Sequence, residues 1–247
     1  MTEKSPVEKA ALPVLLPIRS VIFLLVFIAG SAIAGKNVED ISNWWSIVAT
    51  VVNILMIIML SCIAKRDGKT FRELINYRKG ATKARDVVIM SLIALFVGMG
   101  FMYLSGFLIY GAFMPRISLN MIAPIPKIPA ILNILLLPVT TALAEDGLYL
   151  GYGINRISRK WAAITFPAFF YALQHCFIPT IFDFRYMAYR FLSFLPLTVI
   201  FCLYYHKKRN PVPIMIGHAL LDLATAMSIF ATSLFPGVYD ELSNMLP

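Results

Sequence analysis

The chain has 247 residues, of which 59% are apolar and only 14% charged, against about 25% charged in a soluble domain. That composition excludes an ordinary water-soluble domain, and the length suits one compact membrane domain. A net charge of +9 does not signal nucleic-acid binding, because the basic residues cluster between apolar segments, as cytoplasmic loops over anionic lipid do.

A helix that spans a bilayer needs about 20 mostly apolar residues. Residues 1–12 read as a cytoplasmic tail, and the first span follows at 13–34. Its Ala32-Ile33-Ala34 resembles a signal-cleavage site, but the stretch is long for a signal and Arg19 interrupts it, so it reads as a retained helix. Trp44 and Trp45 open the second span, 44–64, and Lys65–Asp86 is a basic cytoplasmic loop in contact with lipid. The third span is 87–114. Pro124, Pro126 and Pro129 break the chain before the fourth, 128–154, and Trp161 opens the fifth, 161–182. Pro138 and Pro167 are expected to kink these two. A short sixth span, 191–206, and a seventh, 211–235, complete the set, with an outer tail at 236–247.

These elements predict an all-α membrane protein, a bundle of about seven transmembrane helices in a single domain over 13–235. No internal repeat is evident. Seventeen Lys and Arg, including Arg19, fall on one side and five, Lys36, Arg116, Lys127, Arg185 and Arg190, on the other. That bias puts the N-terminus in the cytoplasm and the C-terminus outside. The expected location is a bacterial plasma membrane. Cys62, Cys176 and Cys202 all fall in predicted spans and read as apolar core residues rather than a disulfide framework.

Of thirteen Asp and Glu, only Glu145, Asp146 and Asp222 lie inside long apolar runs, and His175 and His218 join them there. An ionisable group at bilayer depth costs on the order of 2.5–3.5 kcal/mol, so it is kept where it meets partners or trapped water. At about 1.5 Å per helical residue, all five fall in one slab in or near the cytoplasmic half. His218 and Asp222 are four residues apart on one helical face, as are Tyr171 and His175. A carboxylate with two histidines in a screened site suits general-base activation of water, with Glu145 as base and His218 and Asp222 on the carbonyl or oxyanion side. The set Glu145, His175, His218 and Asp222 also matches the donor types of a hydrolytic zinc site. Residue types alone leave both chemistries open, along with polar bridging between helices and a proton relay in a transporter.

The order of these groups resembles the CPBP intramembrane protease family, which includes CAAX prenyl endopeptidases, bacteriocin-processing proteins and bacteriocin self-immunity proteins. The family pattern is Glu-Glu-x-x-x-Arg, Phe-x-x-x-His and His-x-x-x-Asn or Asp on three helices. Here the segments read Glu145-Asp146-Gly147-Leu148-Tyr149-Leu150, Tyr171-Ala172-Leu173-Gln174-His175 and His218-Ala219-Leu220-Leu221-Asp222. They cover about residues 128–225. The resemblance implies an endopeptidase acting on a peptide or membrane protein near the cytoplasmic leaflet, with catalytic residues Glu145, Asp146, His175, His218 and Asp222. Glu145 activates water with His175 as its partner, and no cofactor is required, zinc being the alternative. Three departures stand out. Asp146 is one methylene shorter than Glu, and Tyr171 adds a hydroxyl that needs a partner. Leu150 replaces Arg, which leaves the motif without a fixed cation, so Glu145 and Asp146 are expected to share a proton. The last departure also admits a non-catalytic relative, such as an immunity factor or membrane scaffold.

Overall fold

The computed structural model of the protein describes residues 15–247, so the predicted tail 1–12 and the start of the first span lie outside the described residues. Among the described residues the fold is all-helical, with ten α-helices. They are α1 (Ile18–Ala34), α2 (Val38–Ile41), α3 (Trp45–Arg66), α4 (Phe71–Leu74), α5 (Ala84–Tyr110), α6 (Lys127–Asp146), α7 (Lys160–Gln174), α8 (Phe184–Lys208), α9 (Val212–Leu234) and α10 (Pro236–Met245). A 3₁₀ turn over Arg116–Ile122 precedes α6, and a π-helical stretch, Gly147–Ile154, continues it.

Five helices among the described residues are long and apolar enough to cross a membrane: Val38–Arg66, Ala84–Tyr110, Lys127–Ile154, Phe184–Lys208 and Val212–Leu234. The other two predicted spans come out shorter. The helix of the first starts at Ile18 and has 17 residues. The fifth stops after 15 residues at Gln174, because Pro179 lies just beyond and cannot continue a helix. Residues 175–183 therefore run as an irregular segment, and His175 and Cys176 lie outside the helix predicted to hold them. The sixth span is longer than predicted, 25 residues. Its Arg185 and Arg190 read as a flank, yet both belong to α8, and Arg190 is buried. The C-terminal segment, expected to be an outer tail, contains a helix, α10, which packs against the 3₁₀ turn through a bond from Arg116 Nε to Ser243 Oγ of 3.1 Å.

Helix pairing closes a ring: α1 meets α3, α3 meets α6, α6 meets α9, α9 meets α5, α5 meets α8, α8 meets α7, and α7 returns to α1. Two glycines allow close approaches between elements distant in the chain. A Cβ at Gly217 of α9 would lie 2.9 Å from the Met90 carbonyl oxygen of α5, and one at Gly151 would lie 2.8 Å from the Ile75 side chain. Lipid-facing positions are apolar and exposed, such as Leu25, Leu55, Phe96 and Leu135, as expected for helices solvated by hydrocarbon. Hydroxyl and amide groups stitch α3 to α6 inside: Asn53 Nδ2 donates to Thr141 Oγ1 at 2.9 Å, and Asn133 Nδ2 to Ser46 Oγ at 2.8 Å. In the basic loop Thr70 caps α4. The backbone and hydroxyl bonds from Thr70 to the Glu73 carboxylate hold that carboxyl below its usual range.

Candidate active site

α6 brings Glu145 and Asp146 to its last turn, where the helix widens into the π stretch. Such widenings recur at functional sites. α7 supplies Tyr171 and Gln174, its end supplies His175, and α9 supplies His218 and Asp222. Glu145, Asp146, His175 and His218 are all buried, and the Asp222 side chain is 23% exposed.

His218 stands at the centre of the three carboxylates. Its Nδ1 lies 2.9 Å from the Tyr171 hydroxyl, which in turn lies 2.9 Å from Asp146 Oδ1. The hydroxyl donates its proton to Asp146 Oδ1, so the hydroxyl oxygen accepts from Nδ1–H. The Nε2 atom then faces Asp222 Oδ2 at 3.6 Å and Glu145 Oε2 at 3.9 Å. Both are ion-pair separations rather than hydrogen bonds. The extra hydroxyl of Tyr171 thus has two partners, and its ring stacks on Tyr149 at 4.6 Å between centroids.

Glu145 is held differently from the sequence expectation. Its Oε1 accepts from Arg19 Nη2 at 2.8 Å and its Oε2 accepts from Gln174 Nε2 at 2.7 Å. Arg19 Nε donates to Gln174 Oε1 at 2.5 Å, closing a three-residue cycle in which Arg19 is fully buried. The expectation of a site without a fixed cation is overturned: the cation comes from α1 rather than from position 150, where Leu150 is buried in the apolar core. His175 is likewise not the hydrogen-bonded partner of Glu145. Its Nδ1 donates to the Tyr171 carbonyl at 2.9 Å, and its ring stacks on Phe194 at 3.6 Å between centroids. Arg190 anchors the backbone there, with Nε to the His175 carbonyl at 3.3 Å and Nη2 to the Ile178 carbonyl at 2.9 Å.

A cavity of about 300 Å³ connects these groups and is lined by Glu145, Tyr171, His175, His218 and Asp222 together with apolar side chains. This is the lower end of the size range for small-ligand pockets. Its walls continue through Met99 and Met102 of α5 and Thr225 and Ser228 of α9 to Ser118 and Met121 of the 3₁₀ turn. None of residues 50–94, 146–170 or 202–217 lines it. The cavity therefore runs from the middle of the bundle toward the end opposite the basic loops.

The four-residue zinc set does not fit this arrangement. Glu145 commits both oxygens to Arg19 and Gln174. Among the described residues no group of three or more His, Cys, Asp and Glu is placed to hold a metal ion. What the geometry offers is an oriented buried carboxylate, a histidine with one defined N–H, and a second carboxylate four residues along the same helix.

Residues 127–224 match the Rce1-like family model, type II CAAX prenyl endopeptidase Rce1-like. The matched stretch begins with α6 and ends within α9, two residues past Asp222, so it contains all three motifs. The likeness to the CPBP family read from the motifs is thereby shown over this Rce1-like segment. No curated protein and no solved structure gives a significant match. Arg19 lies outside the Rce1-like segment, which is why motif reading passes over it. Its signal in the sequence is a lone Arg in an apolar run, which charge counting alone reads as topology. Gln174 occupies a variable place in the second motif, one before His175. Arg190 reads from sequence as an outer flank. The five apolar helices mark an integral membrane protein, and its Rce1-like segment is similar to a protease family.

Proposed function

We propose that the chain is an intramembrane endopeptidase that hydrolyses a peptide bond of a membrane-associated peptide or protein with a glutamate-activated water. The observation that carries this reading is the convergence of Glu145, His218 and Asp222 on one buried cavity, with Glu145 oriented by two donors. Glu145 takes the proton of the attacking water, and burial screens the reaction from bulk solvent. As charge develops on the carbonyl oxygen, His218 donates to it from a protonated Nε2 and Asp222 donates as the neutral acid, since a bare nitrogen or a carboxylate would repel it. Asp146 acts through Tyr171 to hold the Nδ1–H of His218, and His175 lines the same cavity. The case for a non-catalytic relative rested on Leu150, and Arg19 weakens it.

The positive-inside bias supports a cytoplasmic N-terminus and seven membrane-embedded helices, α1, α3 and α5–α9, in a single domain. The surrounding membrane fits a bacterial plasma membrane. In that orientation the cavity extends toward the outer face, so the substrate segment reaches the site from the outer half of the bilayer. On this reading the substrate enters from the outer half, whereas the sequence expectation places the reaction near the cytoplasmic leaflet.

The test is hydrolysis by the purified chain in nanodiscs, given peptides extracted from host membranes in heavy-oxygen water. The reading requires new peptides carrying heavy oxygen in one terminal carboxyl, absent with Glu145→Gln. Identical peptide profiles for the two proteins would sink it.

A further inference from the structure

We propose that Arg19, on the first helix, is the residue that charges and orients Glu145, with Gln174 as its brace. This rests on the peptidase reading for its consequence in turnover, but not for its structural content. Four observations carry it. Arg19 is 0% exposed although it lies in an apolar helix. It has a carboxylate partner at 2.8 Å, and that partner is Glu145 rather than either aspartate. A second donor of the guanidinium reaches the amide that binds the other oxygen of Glu145. Finally, α6 offers no cation near Glu145: its one Lys or Arg is Lys127, at its first position.

The physical consequence is a division of labour. A buried carboxylate needs a nearby positive charge to stay ionised. It also needs donors on both oxygens to hold its plane. Arg19 supplies the charge and one donor. Gln174 supplies the other donor and is itself fixed by Arg19 Nε. Since Nε and Nη2 contact different residues, the guanidinium bridges α7 and α6 instead of gripping one carboxylate with two bonds. Arg19 is thus a positioning residue. The first helix is then a functional part of the site, although it lies outside the family-matched segment.

Three variants separate this role from simple helix packing. Arg19→Lys keeps the charge and loses the fork, Arg19→Gln keeps donor capacity and loses the charge, and Arg19→Met keeps only the length. The first readout is infrared spectroscopy of carbon-13-glutamate-labelled protein in nanodiscs at neutral pH, with the Glu145→Gln spectrum subtracted to isolate Glu145. The expected signal is an ionised carboxylate band in wild type and Arg19→Lys, replaced by a protonated carboxyl band in Arg19→Gln and Arg19→Met. The second is the yield of peptides whose release depends on Glu145. It is expected to drop about 100-fold in Arg19→Gln, as misplacement of a reacting group does, and to recover in part in Arg19→Lys. An ionised Glu145 band in folded Arg19→Gln would overturn the proposal, whatever the peptide yields. If no Glu145-dependent peptides exist, the peptidase reading fails while the infrared result still decides the role of Arg19.

Discussion

Truncating Glu145 to Ala removes the carboxylate partner that Arg19 has among the described residues, leaving a buried guanidinium without that counter-charge. Breaking a buried pair this way costs about 3–5 kcal/mol, so loss of activity in Glu145→Ala would be mixed with loss of fold. Glu145→Gln keeps the shape and an acceptor for Arg19. We expect Glu145→Ala to unfold well below wild type in thermal denaturation, and Glu145→Gln to stay much nearer wild type with turnover abolished. A second prediction joins two departures from the family motif. Asp146 is too short to bond His218 directly, at 3.5 Å, and the Tyr171 hydroxyl fills the gap with two contacts of 2.9 Å. Tyr171→Phe should cost about 1–3 kcal/mol through the groups it strands. Adding Asp146→Glu, one methylene longer, should restore part of the loss in stability and turnover. Simple addition of the two single losses in a double-mutant cycle would argue against compensation.

At the scale of elements, the segment after α7 and the contact of α5 with α9 decide the shape of the cavity. Arg190 reaches two backbone carbonyls, at His175 and Ile178, from within α8. Arg190→Met removes two charge-assisted bonds worth about 1.5–3 kcal/mol each. Unfolding should shift by a few kcal/mol, and exchange of the 175–178 amides should rise. Unchanged amide exchange would mean that the segment is held otherwise. Gly217→Leu should separate α9 from α5 and move His218, because even a Cβ would sit 2.9 Å from the Met90 carbonyl.

The same scale shows what a sequence can disclose. Long apolar runs made α3, α5, α6 and α9 legible to within a few residues. His218 and Asp222 were legible because helical spacing alone puts them on one face. The end of α7 was not legible, since a run of apolar residues hides the point where Pro179 stops the helix. The partnership of Arg19 with Glu145 was invisible for another reason: it joins residues 126 positions apart, and only the closing of the helix ring brings them together.

For the whole molecule, orientation and cavity direction make one joint prediction. With the N-terminus inside, Arg116 lies on the outer face near the cavity and Lys69 lies on the inner face. A membrane-impermeant maleimide applied to spheroplasts should label Arg116→Cys and spare Lys69→Cys until the membrane is opened, both in a background lacking Cys62, Cys176 and Cys202. The reverse pattern would invert the bundle and put the cavity on the cytoplasmic side. The ring of helices also explains how a site can be built from buried charge: each ionisable group in the site has a partner on another helix or faces the shared cavity, so none is left facing lipid.

The most direct measurement of the central claim is comparative peptidomics of membranes from cells making wild type or Glu145→Gln, each at matched abundance. A hydrolytic Glu145 predicts a set of peptides present only with wild type, with their uncut precursors accumulating in the variant. Matching peptide and precursor profiles, with both proteins folded in the membrane, would contradict the account.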